Sequence, residues 1–151
     1  MKSSMLLGVI AVLAVLSGLA VVPVQADEKH DKAHAAMFEQ CAKICGDCQV
    51  ACDKNFHHCF TMVESGNKNH AKAAHLSVDC AEFCALSAKL TARHSELAGP
   101  ACEACAKACD ACAAECEKFT NISEMKACAE SCKKCAASCR EMVKHAAMAA
   151  K

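Results

Sequence analysis

No tryptophan and no tyrosine occur in this chain, and phenylalanine occurs five times in 151 residues. Beyond residue 26, leucine, isoleucine, valine, phenylalanine and methionine together number only 20, well short of an ordinary globular core. An interior built from aromatics and branched aliphatics is therefore excluded. An excess of positive charge is also missing, with 17 Lys and Arg against 17 Asp and Glu, and 16 against 17 beyond residue 26. That balance leaves no electrostatic footprint for nucleic acid or for an anionic membrane. No second long apolar run follows the first, at residues 5–22.

That first run belongs to a leader. Residues 1–26 carry a lone early Lys2, the apolar stretch, and a small-x-small ending, Val24-Gln25-Ala26. The stretch is about the minimum length for a membrane span, but the ending marks a secretory signal peptide cut before Asp27. Residues 27–151 are then expected to be one exported, soluble, cysteine-rich domain, with no membrane association once the signal is removed.

All 16 cysteines lie in that domain. Cys41, Cys45, Cys48 and Cys52 are spaced C-x3-C-x2-C-x3-C; so are Cys105, Cys109, Cys112 and Cys116, and Cys128, Cys132, Cys135 and Cys139. The segment ACAKACDACAAEC (104–116) aligns without a gap over ACAESCKKCAASC (127–139). A fourth copy is eroded: Cys80 and Cys84 are kept, and Ser87 and Thr91 fill the other two slots. Cys59 extends the first stripe and Cys102 begins the third. Steps of four, three and four put each set on one face of an α-helix.

Four stripes imply four helices, at about 30–64, 68–97, 100–119 and 122–148. Ser65-Gly66-Asn67, Gly99-Pro100 and Asn121-Ile122-Ser123-Glu124 supply the breaks, the last reading as an Asn cap with Glu three residues on. Short loops predict an all-α fold, an antiparallel up-down-up-down four-helix bundle with a cysteine-lined core.

Export favours disulfides. Helical neighbours, however, hold their Cβ atoms about 5–6 Å apart, beyond disulfide separations, so only cross-bundle bridges could form. Zinc prefers closed four-ligand sites on knuckles and turns, into which a continuous ladder does not divide. The loop spacing of iron–sulfur ligands is absent. Cu(I) is soft, favours thiolate and thioether, and accepts two or three sulfurs with bridging. A tube of thiols would hold multiple Cu(I) ions per chain, on the order of one per cysteine. Catalysis is not expected, since no base and cleft stand out; Cys102-Glu103-Ala104-Cys105 comes nearest to a redox pair. An exported copper chaperone and a disulfide-stapled structural bundle remain the alternatives.

With these stripes, the chain resembles the copper storage proteins, bacterial four-helix bundles whose cysteine-packed cores bind many Cu(I) ions. The resemblance covers essentially all of residues 27–151. It implies storage rather than catalysis, loading through one end of the bundle, and often homo-oligomers. A copper donor or acceptor protein is the further partner expected. Exported members carry a twin-arginine signal; here only Lys2 is present, so Sec-type export to the periplasm and loading after export are expected.

The antiparallel order separates two ends. One gathers His34, Met37, His94, Met142, His145 and Met148, of which His34, His94 and Met142 extend the stripes, and is expected to admit copper past Ser87 and Thr91. The other gathers Phe60, Met62, Val63, Leu76, Phe119, Ile122 and Met125 and reads as an apolar plug. His30, His57, His58, His70 and His75 are expected at the surface.

Overall fold

The computed structural model describes residues 25–149, with side chains placed for 32–148. The leader reading falls almost wholly outside the described residues, and so does the side chain of His30. Four helices follow one another: α1 Gln25–Glu64, α2 Ala71–Ala92, α3 Ala98–Cys116 and α4 Ser123–Ala149, with a 3-10 turn, Lys68–His70, ahead of α2. Neighbours in sequence pack side by side and α4 closes on α1. Facing thiols show the alternation of direction: Cys48 meets Cys132 and Cys52 meets Cys128, while Cys80 meets Cys109 and Cys84 meets Cys105. The up-down-up-down bundle is the observed fold.

The helix ends depart from expectation for local reasons. Nothing between 25 and 30 breaks a helix, so α1 begins five residues earlier than expected. Gly66 adopts φ +96, and the Gly66 and Asn67 N–H groups bond the Val63 and Met62 carbonyls at 2.9 Å. α2 stops at 92 rather than 97 through the same motif: His94 at φ +50 donates to Thr91 and Ser95 donates to Leu90. That left-handed position usually holds glycine, so the stop at a histidine was not legible from residue type. Gly99 and Pro100 lie inside the first turn of α3, where proline's missing N–H is harmless. A Cβ on Gly99 would stand 3.0 Å from the Ala146 Cβ, so glycine lets α3 approach α4 there. Asn121 sits outside α4, whose first bond is accepted by the Ile122 carbonyl.

Every cysteine is 0–1% exposed. Eight alanines complete most of the buried apolar set, and Phe38, Met125 and Met142 are its only large members among the described residues. Small side chains between the stripes let the helices close on a narrow sulfur-filled axis. Among the described residues no helix is long and apolar enough to cross a membrane.

Candidate metal centre

Each helix carries one unbroken stripe of three- and four-residue steps: 34, 38, 41, 45, 48, 52, 55, 59 on α1 and 70, 73, 77, 80, 84, 87, 91, 94 through α2. The matching stripes are 98, 102, 105, 109, 112, 116, 119 on α3 and 125, 128, 132, 135, 139, 142 on α4. Converging on the axis, their thiols form five groups whose sulfurs all lie within 4.8 Å of one another. From the His34 end these are Cys41/Cys102/Cys139, Cys45/Cys105/Cys135/Cys139, Cys48/Cys84/Cys109/Cys135, Cys48/Cys80/Cys109/Cys132 and Cys52/Cys112/Cys128/Cys132. Cys48, Cys109, Cys132, Cys135 and Cys139 each belong to two groups, so the groups fuse into one ladder. Cys59 and Cys116 stand outside it. All 16 are free thiols, and the shortest Sγ–Sγ separation, Cys80 to Cys109, is 3.5 Å. A disulfide needs about 2.05 Å; the sulfurs are spaced as clusters, not as bonded pairs.

Packed thiols polarise one another. Cys48 is held well below the usual thiol range by hydrogen bonding with Cys109, then Cys132 and Cys135. Cys105 is lowered in the same way by Cys109 and Cys135. Their partners shift the opposite way, and Cys132, coupled to Cys109, Cys112 and Cys128, lies well above it. Each cluster thus presents a first thiolate readily and gives up later protons reluctantly.

This splitting dictates a pH dependence for the metal-free protein. Between its folded and unfolded pKa a lowered thiol, such as Cys80 at about 7 chiefly through Cys109, holds fewer protons folded than unfolded, so stability climbs with pH. A raised thiol, such as Cys59 pushed up to about 11 by burial, reverses the slope above the unfolded value of about 8.5. Nine thiols are raised and seven lowered. Apo melting temperature is expected to peak near pH 8 and to fall between about pH 8.5 and 11. Melts monitored by circular dichroism across that range check this; a flat profile would contradict the thiol coupling.

At the His34 end three imidazoles gather. The His34 ring centroid lies 4.6 Å from His145 and 6.0 Å from His94. Phe38 stacks on His94 at 4.5 Å and on His34 at 4.7 Å, one turn outside Cys41. A cleft of about 450 Å³ opens there, lined by His34, Phe38, His94, Glu96, Gly99 and His145. Met142 is fully buried beneath it. Met37 and Met148 are not part of this mouth: Met37 faces an outer α1–α4 groove beside Gln40 and Ile44, and Met148 is 68% exposed. Both lie off the stripe, as the stepping shows.

At the other end the apolar plug needs correction. Phe60 is 47% exposed, whereas His70, expected at the surface, is 2% exposed and lies tilted against Phe119, ring centroids 4.7 Å apart. Burial, with the His58 imidazole beside it, holds His70 below the usual histidine value. His57 and His75 are exposed. Asn55 and Ser77 were also overlooked. Asn55 Nδ2 donates to Ser77 Oγ at 2.9 Å and to Cys116 Sγ at 3.4 Å, forming a polar layer below the ladder. Continuing the three–four steps from Cys52 and Cys80 would have found both residues, and His70 as well.

Fold and site together define a helical bundle whose core is a continuous multi-thiol site suited to a soft metal. The family model of the copper storage proteins matches residues 24–144, and the chain belongs to that family. Among solved structures it is similar to the Cu(I)-bound copper storage protein BsCsp3, at 34% identity over 71% of this chain and 98% of that one, with a TM-score of 0.66. It is similar also to the apo form of copper storage protein 3 from Bacillus subtilis, at 32% identity over 70% and 97%, with a TM-score of 0.57. A search of curated proteins gave no match.

Proposed function

We propose that the chain stores Cu(I) in bulk, its thiolates lining the axis as ligands. The carrying observation is that the five thiol groups share members. Structural zinc is held in closed four-ligand tetrahedral sites, whereas a run of thiolates that serve two ions in two- and three-sulfur sites suits Cu(I). Charge supports the same conclusion. A buried thiolate is strongly penalised unless paired, and one monovalent ion per thiolate leaves the axis neutral. The BsCsp3 structure described as Cu(I)-bound supports this choice of ion. The His34–His94–His145 mouth receives copper on imidazole, with the Met142 thioether beneath it, before the thiolates of Cys41, Cys102 and Cys139 take over.

Secretion through residues 1–26 and loading outside the cytoplasm belong to this proposal, supported by the leader's apolar run and small-x-small ending. A donor or acceptor protein would dock at the three-imidazole mouth. Self-association is supported by exposed Val78, Phe83 and Leu86 on α2.

An anaerobic Cu(I) titration of the reduced protein against a chelator of known affinity tests the reading. More than about ten ions should bind per chain, with thiol reactivity lost in step, on the one-per-thiol estimate. An endpoint at one or two ions would mean a chaperone instead.

A further inference from the structure

The end opposite the three imidazoles holds more than the apolar side chains of Leu76, Phe119 and Ile122 that pack against the core there. Its outermost stripe positions are Cys59 on α1, His70 ahead of α2, Phe119 past α3 and Met125 on α4. Cys59 Sγ lies 3.8 Å from Met125 Sδ, and both side chains are fully buried. His70 is 2% exposed, and neither of its ring nitrogens makes a well-formed hydrogen bond, the Asn67 backbone being a weak partner. The buried Nε2 of His58, next to Cys59 in the chain, is also unpartnered. The His58 and His70 ring centroids are 5.8 Å apart. Thiol, thioether and imidazole therefore collect at one end of the bundle.

A purely structural role explains this poorly. A buried polar group without a partner costs about 1–3 kcal/mol, and a leucine at position 70 could face Phe119 without that penalty. Buried nitrogens of two imidazoles, at the same end of the bundle as a thiol–thioether pair, are the ligand types that a soft ion takes. The polar layer of Asn55, Ser77 and Cys116 separates this set from the ladder, so it is a site of its own.

We propose that Cys59, Met125 and His70, with His58 at the rim, form a second Cu(I) site at this end of the core. This rests on the storage reading for the identity of the ion. On binding, Cys59 releases its proton to solvent and its thiolate takes the ion beside the Met125 thioether and an imidazole; no electron moves. Having one thiolate, the site binds more weakly than the ladder and exchanges faster.

The test is a Cu(I) titration of the reduced protein carrying 13C-methyl methionine, with Met125 assigned through Met125→Leu. The Met125 methyl and the His70 ring protons should shift late, after the ladder has filled. His70→Phe, which keeps an aromatic against Phe119, should lower the total by about one ion and abolish the Met125 shift while the ladder still loads. More than about ten ions bound with Met125 unmoved to saturation would overturn the second site and leave the store intact. A total of one or two ions would overturn the storage reading; if Met125 and His70 then moved together, the second site would stand alone.

Discussion

Saturation with Cu(I) is expected to raise the melting temperature by tens of degrees, lifting the transition out of the ordinary mesophile range. The apo protein should melt as a marginal small domain. Its buried set is 16 cysteines, eight alanines and three larger apolar side chains. Each cysteine buries less apolar surface than a leucine, so hydrophobic stabilisation per residue is low. Metal bound only by the folded state adds its binding free energy to stability. At free copper a thousandfold above Kd, one ion contributes about 4 kcal/mol. Three such ions supply roughly as much as the entire stability of a typical domain, about 5–15 kcal/mol. Each kcal/mol moves the midpoint of a small domain by about 4–8 °C. Parallel thermal scans of reduced apo and loaded protein check this. If both forms melted within a few degrees of each other, copper would not be bound in the core.

The alkaline fall in apo stability should vanish on loading, because the thiols are then deprotonated and paired already. Repeating the loaded scan at pH 8 and pH 10 separates metal ligation from simple stiffening of the helices.

Much of this was legible in the sequence because an α-helix turns spacing into facing. Steps of three and four assign Cys41 through Cys52 to one stripe whatever the tertiary context, and four such stripes have one economical arrangement. The thiol groups follow once the helices are antiparallel. What escaped lies at the ends, where periodicity meets turns. His70 sits in a 3-10 turn, and residue type alone placed it in solvent; its register, one heptad before Ser77, placed it inside. Met37 and Met148 were drawn to the mouth by their sulfur chemistry, although neither lies on a stripe. Phe38, one step before Cys41, is the aromatic on which two of the mouth imidazoles stack. Register is not sufficient either, since His145 lies off the α4 stripe and still stands 4.6 Å from His34.

Register also says where the ladder is most vulnerable. Replacing Cys48, Cys109 and Cys132 together by serine is expected to remove three to five ions, about one per thiolate plus those they bridge. Cys48 and Cys109 each join two middle groups, and Cys132 joins the middle to the Cys52/Cys112/Cys128 group. Without them Cys80 has no group partner, and the chain of shared sulfurs is cut in two. The loading curve should become biphasic, with separate stores around Cys45/Cys105/Cys139 and Cys52/Cys112/Cys128. The matched variant, Cys59, Cys102 and Cys116 to serine, loses the same number of thiols but leaves the shared positions in place. It should keep one continuous loading phase. Both proteins should fold, since a serine hydroxyl is smaller than a thiol and can bond the carbonyl four residues back, as Thr91 does to Ser87 at 2.7 Å. Ser77 and Ser87 already occupy stripe positions fully buried. Helical circular dichroism is therefore expected to be unchanged while stoichiometry drops. Equal loss and equal curve shape in the two variants would mean that the thiols act as independent sites. Unequal loss, concentrated in the central variant, is the signature of sulfurs shared between ions.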